Sequence, residues 1–341
     1  MHLRKMGLGL AAVIIIVGTG LHWLFQTALV TDTKGVYTVN IERGMSFNAV
    51  MKKFIDQGVI EGDFRPRFVG ALLGLSSQLK AGRYELQSGE STYSFLTKLT
   101  SGRVLNQRIT IPEGLQAREI AQIFQTKLQV DSSAFMAVVS SKAEVVGYGL
   151  QGETLEGYLF PNTYKMPWGV SPRRVVEILV SEFKKQVNDS LLKEIAKSEM
   201  NLLQVVTLAS IIEGEAMVDS ERPIISGVYQ NRLRKGIRLQ ADPTIQYIIP
   251  DGPRRLLFRD LEIDSRYNTY RYAGLPPGPI NNPGLNSILA TLNPASVKYI
   301  YFVANGDGTH TFSRTLREHN RAKAKFDRVR RQIKGRGKVG K

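Results

Sequence analysis

Apolar and polar positions divide this chain into regions of different period. Gly7–Phe25 carries no Asp, Glu, Lys or Arg. At about 19 residues, the run is close to the ~20 that a helix needs to cross a bilayer core. Arg4 and Lys5 precede it, and Asp32 is the first acidic residue after it. The positive-inside bias therefore predicts a single-pass anchor over 7–27, with residues 1–6 in the cytoplasm and the rest outside. The alternative is a cleaved signal peptide. Its apolar region would ordinarily be ~7–15 residues, ending at a small-residue site, which Thr27-Ala-Leu-Val30 matches poorly.

Beyond the anchor, short alternating segments mix with helical ones. Val36–Ile41 has strand composition. Ser46 is placed to cap a helix over Phe47–Gln57, a second helix covers Phe64–Leu75, and Ala81–Leu86 returns as a strand. A third helix covers Ser91–Thr100, so residues 36–101 read as a small α/β unit. Ser101-Gly-Arg103 marks a boundary. Gln107–Ile111 is a strand ended by Pro112-Glu-Gly114. Helices are predicted over Ala117–Thr126, Ser132–Ser140, Pro172–Val187, Leu191–Ser198 and Pro223–Arg234. The C-terminal third reads as loop-rich until a strand over Val297–Val303, a hairpin at Gly306–Phe312 and a final helix over Leu316–Arg331. Strands and helices follow no regular βαβ period, which predicts an α+β fold rather than a doubly wound sheet.

One helical segment carries candidate chemistry. In Leu208-Ala-Ser-Ile-Ile-Glu-Gly-Glu-Ala216, a turn of ~100° per residue puts Glu213 on the face of Leu202, Val206 and Ala209. Glu215 falls roughly opposite, near Gln204 and Ile211. A carboxyl group on an apolar face loses hydration, which disfavours the charged form. An acid that keeps its proton near neutral pH can donate it. The alternative is a buried structural carboxylate bonded to an arginine or to backbone.

Composition narrows the class. The chain has no cysteine, which excludes disulfides, thiolate metal sites and a cysteine nucleophile. Four scattered histidines (His2, His22, His310 and His319) suggest no metal cluster, and neither HExxH nor a P-loop is present. The formal charge is +16, of which +9 falls in Arg317–Lys341. Such a tail suits an anionic lipid or wall polymer, or is simply a solvated helix end. Nucleic acid is not expected as a partner of an exported segment.

Six segments, one of them from the Glu213 helix, form a constellation. They are Glu156-Gly-Tyr-Leu-Phe-Pro161, Ile212-Glu-Gly-Glu215, Asn231-Arg-Leu-Arg234, Leu239-Gln-Ala-Asp-Pro-Thr244, Tyr267-Asn-Thr-Tyr270 and Gly274–Ile280. With the anchor and the small α/β unit, which resembles LysM modules of cell-wall proteins, they resemble the YceG-like family of endolytic murein transglycosylases. The resemblance covers nearly all of the chain beyond the anchor. It rests on the number and order of the segments, since no single one is decisive. One departure is Gly214, where many family members carry Lys.

The resemblance implies a lyase that cleaves the peptidoglycan glycan backbone within the strand, without water or cofactor, leaving 1,6-anhydro-N-acetylmuramic (anhydro-MurNAc) ends. It implies a family catalytic domain over 104–331, followed by a basic tail over 332–341. It also implies an inner-membrane location with this domain in the periplasm, ending strand elongation beside peptidoglycan synthases. It matches the family's catalytic glutamate to Glu213. Glu156, Glu215, Asn231, Gln240, Asp242 and Asn268 are then candidate polar contacts to glycan, and Tyr158, Tyr267 and Tyr270 candidate faces for pyranose rings. Backbone shaping or core packing is the alternative for each. A hydrolytic muramidase and a non-catalytic wall-binding scaffold remain as rival functions.

Overall fold

A computed structural model describes residues 2–26 and 35–336, apart from Glu61, Asp63 and Asp251. The expected end of the anchor at Thr27, the Thr27–Val30 stretch and tail residues 337–341 lie outside the described residues. In chain order the elements are α1 (His2–Gln26), β1 (Val36–Ile41), α2 (Phe47–Asp56), α3 (Arg65–Leu72), β2 (Gly82–Gln87), α4 (Thr92–Ser101) and β3 (Asn106–Thr110). Next come α5 (Ala117–Leu128), α6 (Ser132–Val139), α7 (Lys142–Gly147), β4 (Thr163–Pro167), α8 (Pro172–Gln186) and α9 (Asp189–Lys197). The chain continues through α10 (Leu202–Glu215), α11 (Arg222–Arg234), α12 (Asp242–Ile248), α13 (Leu285–Leu292), β5 (Tyr301–Ala304), β6 (His310–Ser313) and α14 (Leu316–Arg336). Many helices and small two-stranded sheets, β1-β2, β3-β4 and β5-β6, make a mixed α+β architecture, as the irregular alternation predicts.

The described residues form two compact units. The first comprises residues up to Ile109 with Lys127–Gln129 and Tyr164–Val170, and the second comprises the remainder. In the first unit, β1 and β2 pair antiparallel, with Val39 opposite Tyr84. Their inward side chains join Phe54 of α2 and Phe95 of α4, whose rings meet edge to face at 6.0 Å. Ser46 and Ser91 cap α2 and α4 by accepting from the backbone N–H three residues on. From α1, Leu24 and Phe25 pack on this core, and Arg65 lies 5.2 Å from the centre of the Trp23 ring. Among the described residues, no single helix is long and apolar enough to cross a membrane. The described apolar stretch is Leu10–Gln26, most of it exposed.

In the second unit, α10 is the central element, packed against α11, α12 and α13. Its start is fixed by a capping box in which Asn201 and Gln204 exchange hydrogen bonds, both 2.9 Å long. Val205 through Ile212 are all buried, so α10 is enclosed all round rather than apolar on one face. The expected strand at Val297–Val303 is shortened to β5 at Tyr301–Ala304. The carbonyls of Val297 and Tyr299 instead accept from Asn231 Nδ2, at 2.8 and 2.9 Å. The region expected to be loop-rich contains two helices, α12 and α13.

Candidate active site

Glu213 stands in the last turn of α10, with its side chain only 6% exposed. Its surroundings are not apolar. Arg222, at the start of α11, places Nη1 3.0 Å from Glu213 Oε1, and its own side chain is 8% exposed. Ser287 Oγ donates to Glu213 Oε2 at 2.8 Å, and Gly284 N–H donates to the same oxygen at 3.1 Å. Ser287 also accepts from Arg222 Nη1 at 2.5 Å. The expected apolar burial is therefore replaced by a charge-assisted network of an arginine, a hydroxyl and a backbone amide. The N-terminus of α13 supplies two of these donors.

A second carboxyl group reaches the same place. Glu113 lies in the Pro112-Glu-Gly114 turn, which the sequence alone suggests only as the end of a strand. Glu113 Oε2 is 3.9 Å from Arg222 Nη2, and its side chain is 46% exposed. A methyl group on Gly284 would overlap the Glu113 carboxyl, so the glycine is what lets that side chain lie across the loop. Burial, then the nearby Glu213 charge, raise the Glu113 pKa against the opposing effect of Arg222. The sequence signal for this residue was a lone acid between Pro and Gly, which fixes the backbone and leaves the side chain free to project.

Glu156 supports this arrangement from beneath. It accepts Ala117 N–H on both oxygens, at 3.0 and 3.2 Å, and Asn282 Nδ2 at 2.7 Å. Asn282 in turn accepts from Gly157 and Leu159 N–H on its side chain, and its carbonyl accepts Gly114 N–H at 2.9 Å. The Glu113 turn and the Gly284 loop are thus joined through one buried acid. Burial pushes the Glu156 pKa up to about 8, against these hydrogen bonds. Expected as a glycan contact, Glu156 lies out of reach under the loops.

Other candidates form a second cluster. Tyr229 Oη donates to Glu215 at 2.8 Å, and burial together with the Asp242 charge raises the Glu215 pKa to about 7 against that bond. Tyr270 Oη bonds to Asp242, while Gln240 accepts from Arg232 at 2.9 Å. Gln240 is exposed and sits at φ 51°, a left-handed conformation uncommon outside glycine. Glu215, Gln240, Asp242 and Tyr270 are therefore brought together. Gly214, between the two acids, approaches the Pro243 ring so closely that a side chain there would force Pro243 to move.

The remaining candidates are absorbed by the fold. Tyr158 is fully buried edge to face on Phe183, with its hydroxyl on Gln151 O at 2.8 Å, and shows no ring face to solvent. Buried Asn268 spends its amide on Leu261 O and Ile263 O, and its oxygen accepts from Tyr270 N–H. Asn231 fastens the strand approach described above. Tyr267 is half-buried, tilted against Tyr247 with ring centres 5.0 Å apart. Among the described residues, no three His, Asp or Glu side chains converge as metal ligands.

A buried carboxylate gripped by three donors, beside a half-exposed carboxyl and a shared arginine, defines a site equipped for proton transfer. A model of the YceG-like family matches residues 39–325, and the chain belongs to that family. It is 34% identical over 314 residues to an endolytic murein transglycosylase of Bacillus subtilis (strain 168), covering 86% of each chain. It is 27% identical over 337 residues to an endolytic murein transglycosylase of Streptococcus pneumoniae (strain ATCC BAA-255 / R6), covering 89% of this chain and 61% of that one. A 2.6 Å crystal structure of a yceG-like protein from Listeria monocytogenes superposes with a TM-score of 0.60 at 32% identity, covering 85% of this chain and 99% of that one.

Proposed function

We propose that this protein is an endolytic murein transglycosylase, a lyase that cuts the MurNAc–GlcNAc backbone of peptidoglycan and leaves 1,6-anhydro-MurNAc ends. The observation that carries this reading is Glu213, buried at the end of α10 under Arg222, Ser287 and the Gly284 amide, in a chain of this family. The reaction needs one carboxyl group at minimum. Protonated, it gives its proton to the glycosidic oxygen. Ionised, it takes the proton of the sugar's own C6 hydroxyl as that oxygen attacks C1. Water is not consumed, so the second carboxylate of hydrolytic glycosidases becomes optional. Glu213 is the residue for this role, and exposed Gln240 and Asp242 with half-buried Tyr270 form the nearby surface for sugar hydroxyls and rings.

The membrane supplies the setting. Residues 7–27 act as a retained anchor with the N-terminus in the cytoplasm, supported by the uncharged Gly7–Phe25 run after Arg4-Lys5. On this reading residues 36–101 are a LysM-like unit, 104–331 the catalytic domain and 332–341 a basic tail, all on the outer side. There the enzyme meets new glycan beside the synthases and ends its elongation.

The test is full-length detergent-solubilised protein incubated with peptidoglycan, followed by mass spectrometry of the fragments. Anhydro ends from within strands are expected. Reducing ends would indicate a muramidase, and absence of products a scaffold.

A further inference from the structure

The two carboxyl groups at Arg222 differ in ways that assign them different work. Glu213 is almost wholly enclosed, and both its oxygens are engaged by Arg222, Ser287 and the Gly284 amide. Those donors pair with a carboxylate, the form in which a base acts. Glu113 stands 46% exposed on the other arm of the same guanidinium, and takes no hydrogen bond from any described residue. Its backbone is not loose. Gly114 N–H bonds to Asn282 O at 2.9 Å, Asn282 N–H bonds to Leu115 O at 2.9 Å, and Glu156 holds Ala117 N–H. The carboxyl therefore projects from a fixed turn onto the bare α-carbon of Gly284 and is open to an incoming glycan.

We propose that Glu113 is a second catalytic residue of this reaction, the acid that protonates the departing glycosidic oxygen, while Glu213 is the base for the C6 hydroxyl. This rests on the reading of Glu213 above and divides its two proton transfers between two groups. Glu113 gives its proton to the GlcNAc O4 as the bond from O4 to MurNAc C1 breaks, and the bonding pair leaves with O4. The MurNAc O6 then bonds to C1, and its proton passes to the Glu213 carboxylate. Return of that proton from Glu213 to Glu113 through solvent restores the site, with no net proton gained or lost. Burial and the Glu213 charge keep Glu113 protonated to a higher pH than a free glutamate. Environments that separate two carboxyl groups in this way mark acid and base in other glycan-cleaving sites.

The test uses two substrates with full-length protein in detergent. One is peptidoglycan, whose leaving sugar needs a proton. The other is a GlcNAc–MurNAc tetrasaccharide with 4-nitrophenol on the terminal MurNAc C1, whose phenolate leaves without one. Glu113→Gln should lose at least ~10²-fold on peptidoglycan and less than about tenfold on the aryl substrate. Glu213→Gln should lose at least ~10²-fold on both. Near-normal cleavage of peptidoglycan by Glu113→Gln would overturn the proposal, as would equal losses on the two substrates by a folded variant. An active Glu213→Gln enzyme would instead remove the reading of Glu213. The unaltered enzyme gives a check independent of folding. Its rate on peptidoglycan should fall at alkaline pH, whereas its rate on the aryl substrate should not fall over the same range. Identical alkaline limbs on both substrates would also overturn the proposal.

Discussion

Arg222 Nη1 meets Glu213 Oε1 at 3.0 Å, with both side chains more than nine-tenths buried. A buried pair of this kind is costly to break from one side, because the charge left behind has no solvent to replace its partner. Arg222→Met should therefore destabilise the protein by on the order of 3 kcal/mol. Arg222→Met combined with Glu213→Gln should recover much of that loss. Urea unfolding of the two single variants and the double variant measures the coupling. Simple additivity would mean that the pair has no energetic link.

Glu213→Gln alone keeps the shape and can still accept one hydrogen bond from the Gly284–Ser287 pair. It removes the group that exchanges the proton. Turnover of peptidoglycan should fall by at least ~10²-fold, in a variant that still folds but is less stable than the parent, because Arg222 loses its buried partner. A folded variant with ordinary activity would take Glu213 out of the chemistry.

The sequence reveals α10 and the position of Glu213 because apolar periodicity along a single helix is a local feature. It does not reveal what surrounds Glu213. Arg222, Ser287 and Gly284 arrive from other elements, and the pairings that bring them are long-range. The segment Leu285-Asn-Ser-Ile-Leu-Ala-Thr-Leu292 has ordinary helical composition, but the prolines and glycines before it mask its start. With α13 unseen, the donors at its N-terminus were unseen too. By residue type, Tyr158, Asn231 and Asn268 are candidate sugar contacts. Type does not distinguish an aromatic ring facing a groove from one facing Phe183, or an amide bonding a sugar from one bonding backbone carbonyls. Glu113 is hidden for the converse reason, since a Pro-Glu-Gly turn looks purely structural until the loop opposite is known.

Gly284 offers a way to disturb the site while sparing the fold. Its φ of −74° is open to alanine, and the nearest atoms a methyl group would meet are those of the flexible Glu113 carboxyl. Gly284→Ala should displace Glu113 and lower peptidoglycan turnover by about tenfold or more, a tenth of the ~10²-fold expected for full loss of an acid. The unfolding midpoint should move little. Unchanged turnover would mean that the position of Glu113 over this loop does not matter.

The proposed anchor predicts where the protein is found. Cells should yield it in the membrane fraction, and protease added to spheroplasts should digest everything beyond about residue 30. A soluble mature form lacking the first 30 or so residues would point to a signal peptide in its place.

Glu156 predicts a particular dependence of stability on pH. Its pKa rises on folding from the ordinary 4.5 to about 8, chiefly through burial. Between these values the folded chain binds more protons than the unfolded one, so stability falls as pH rises. The favourable contribution is complete below about pH 4.5 and is lost by about pH 8, a change on the order of several kcal/mol. Glu215, raised to about 7, adds a slope of the same sign over the lower part of this window. Glu156→Gln imitates the protonated acid and removes one titration while leaving that of Glu215 in place. The variant should match the parent near pH 5 and become progressively more stable relative to it toward pH 8.5. Urea denaturation at half-unit pH steps measures the difference. Parallel stability curves for the two proteins would mean that Glu156 does not change its protonation on folding.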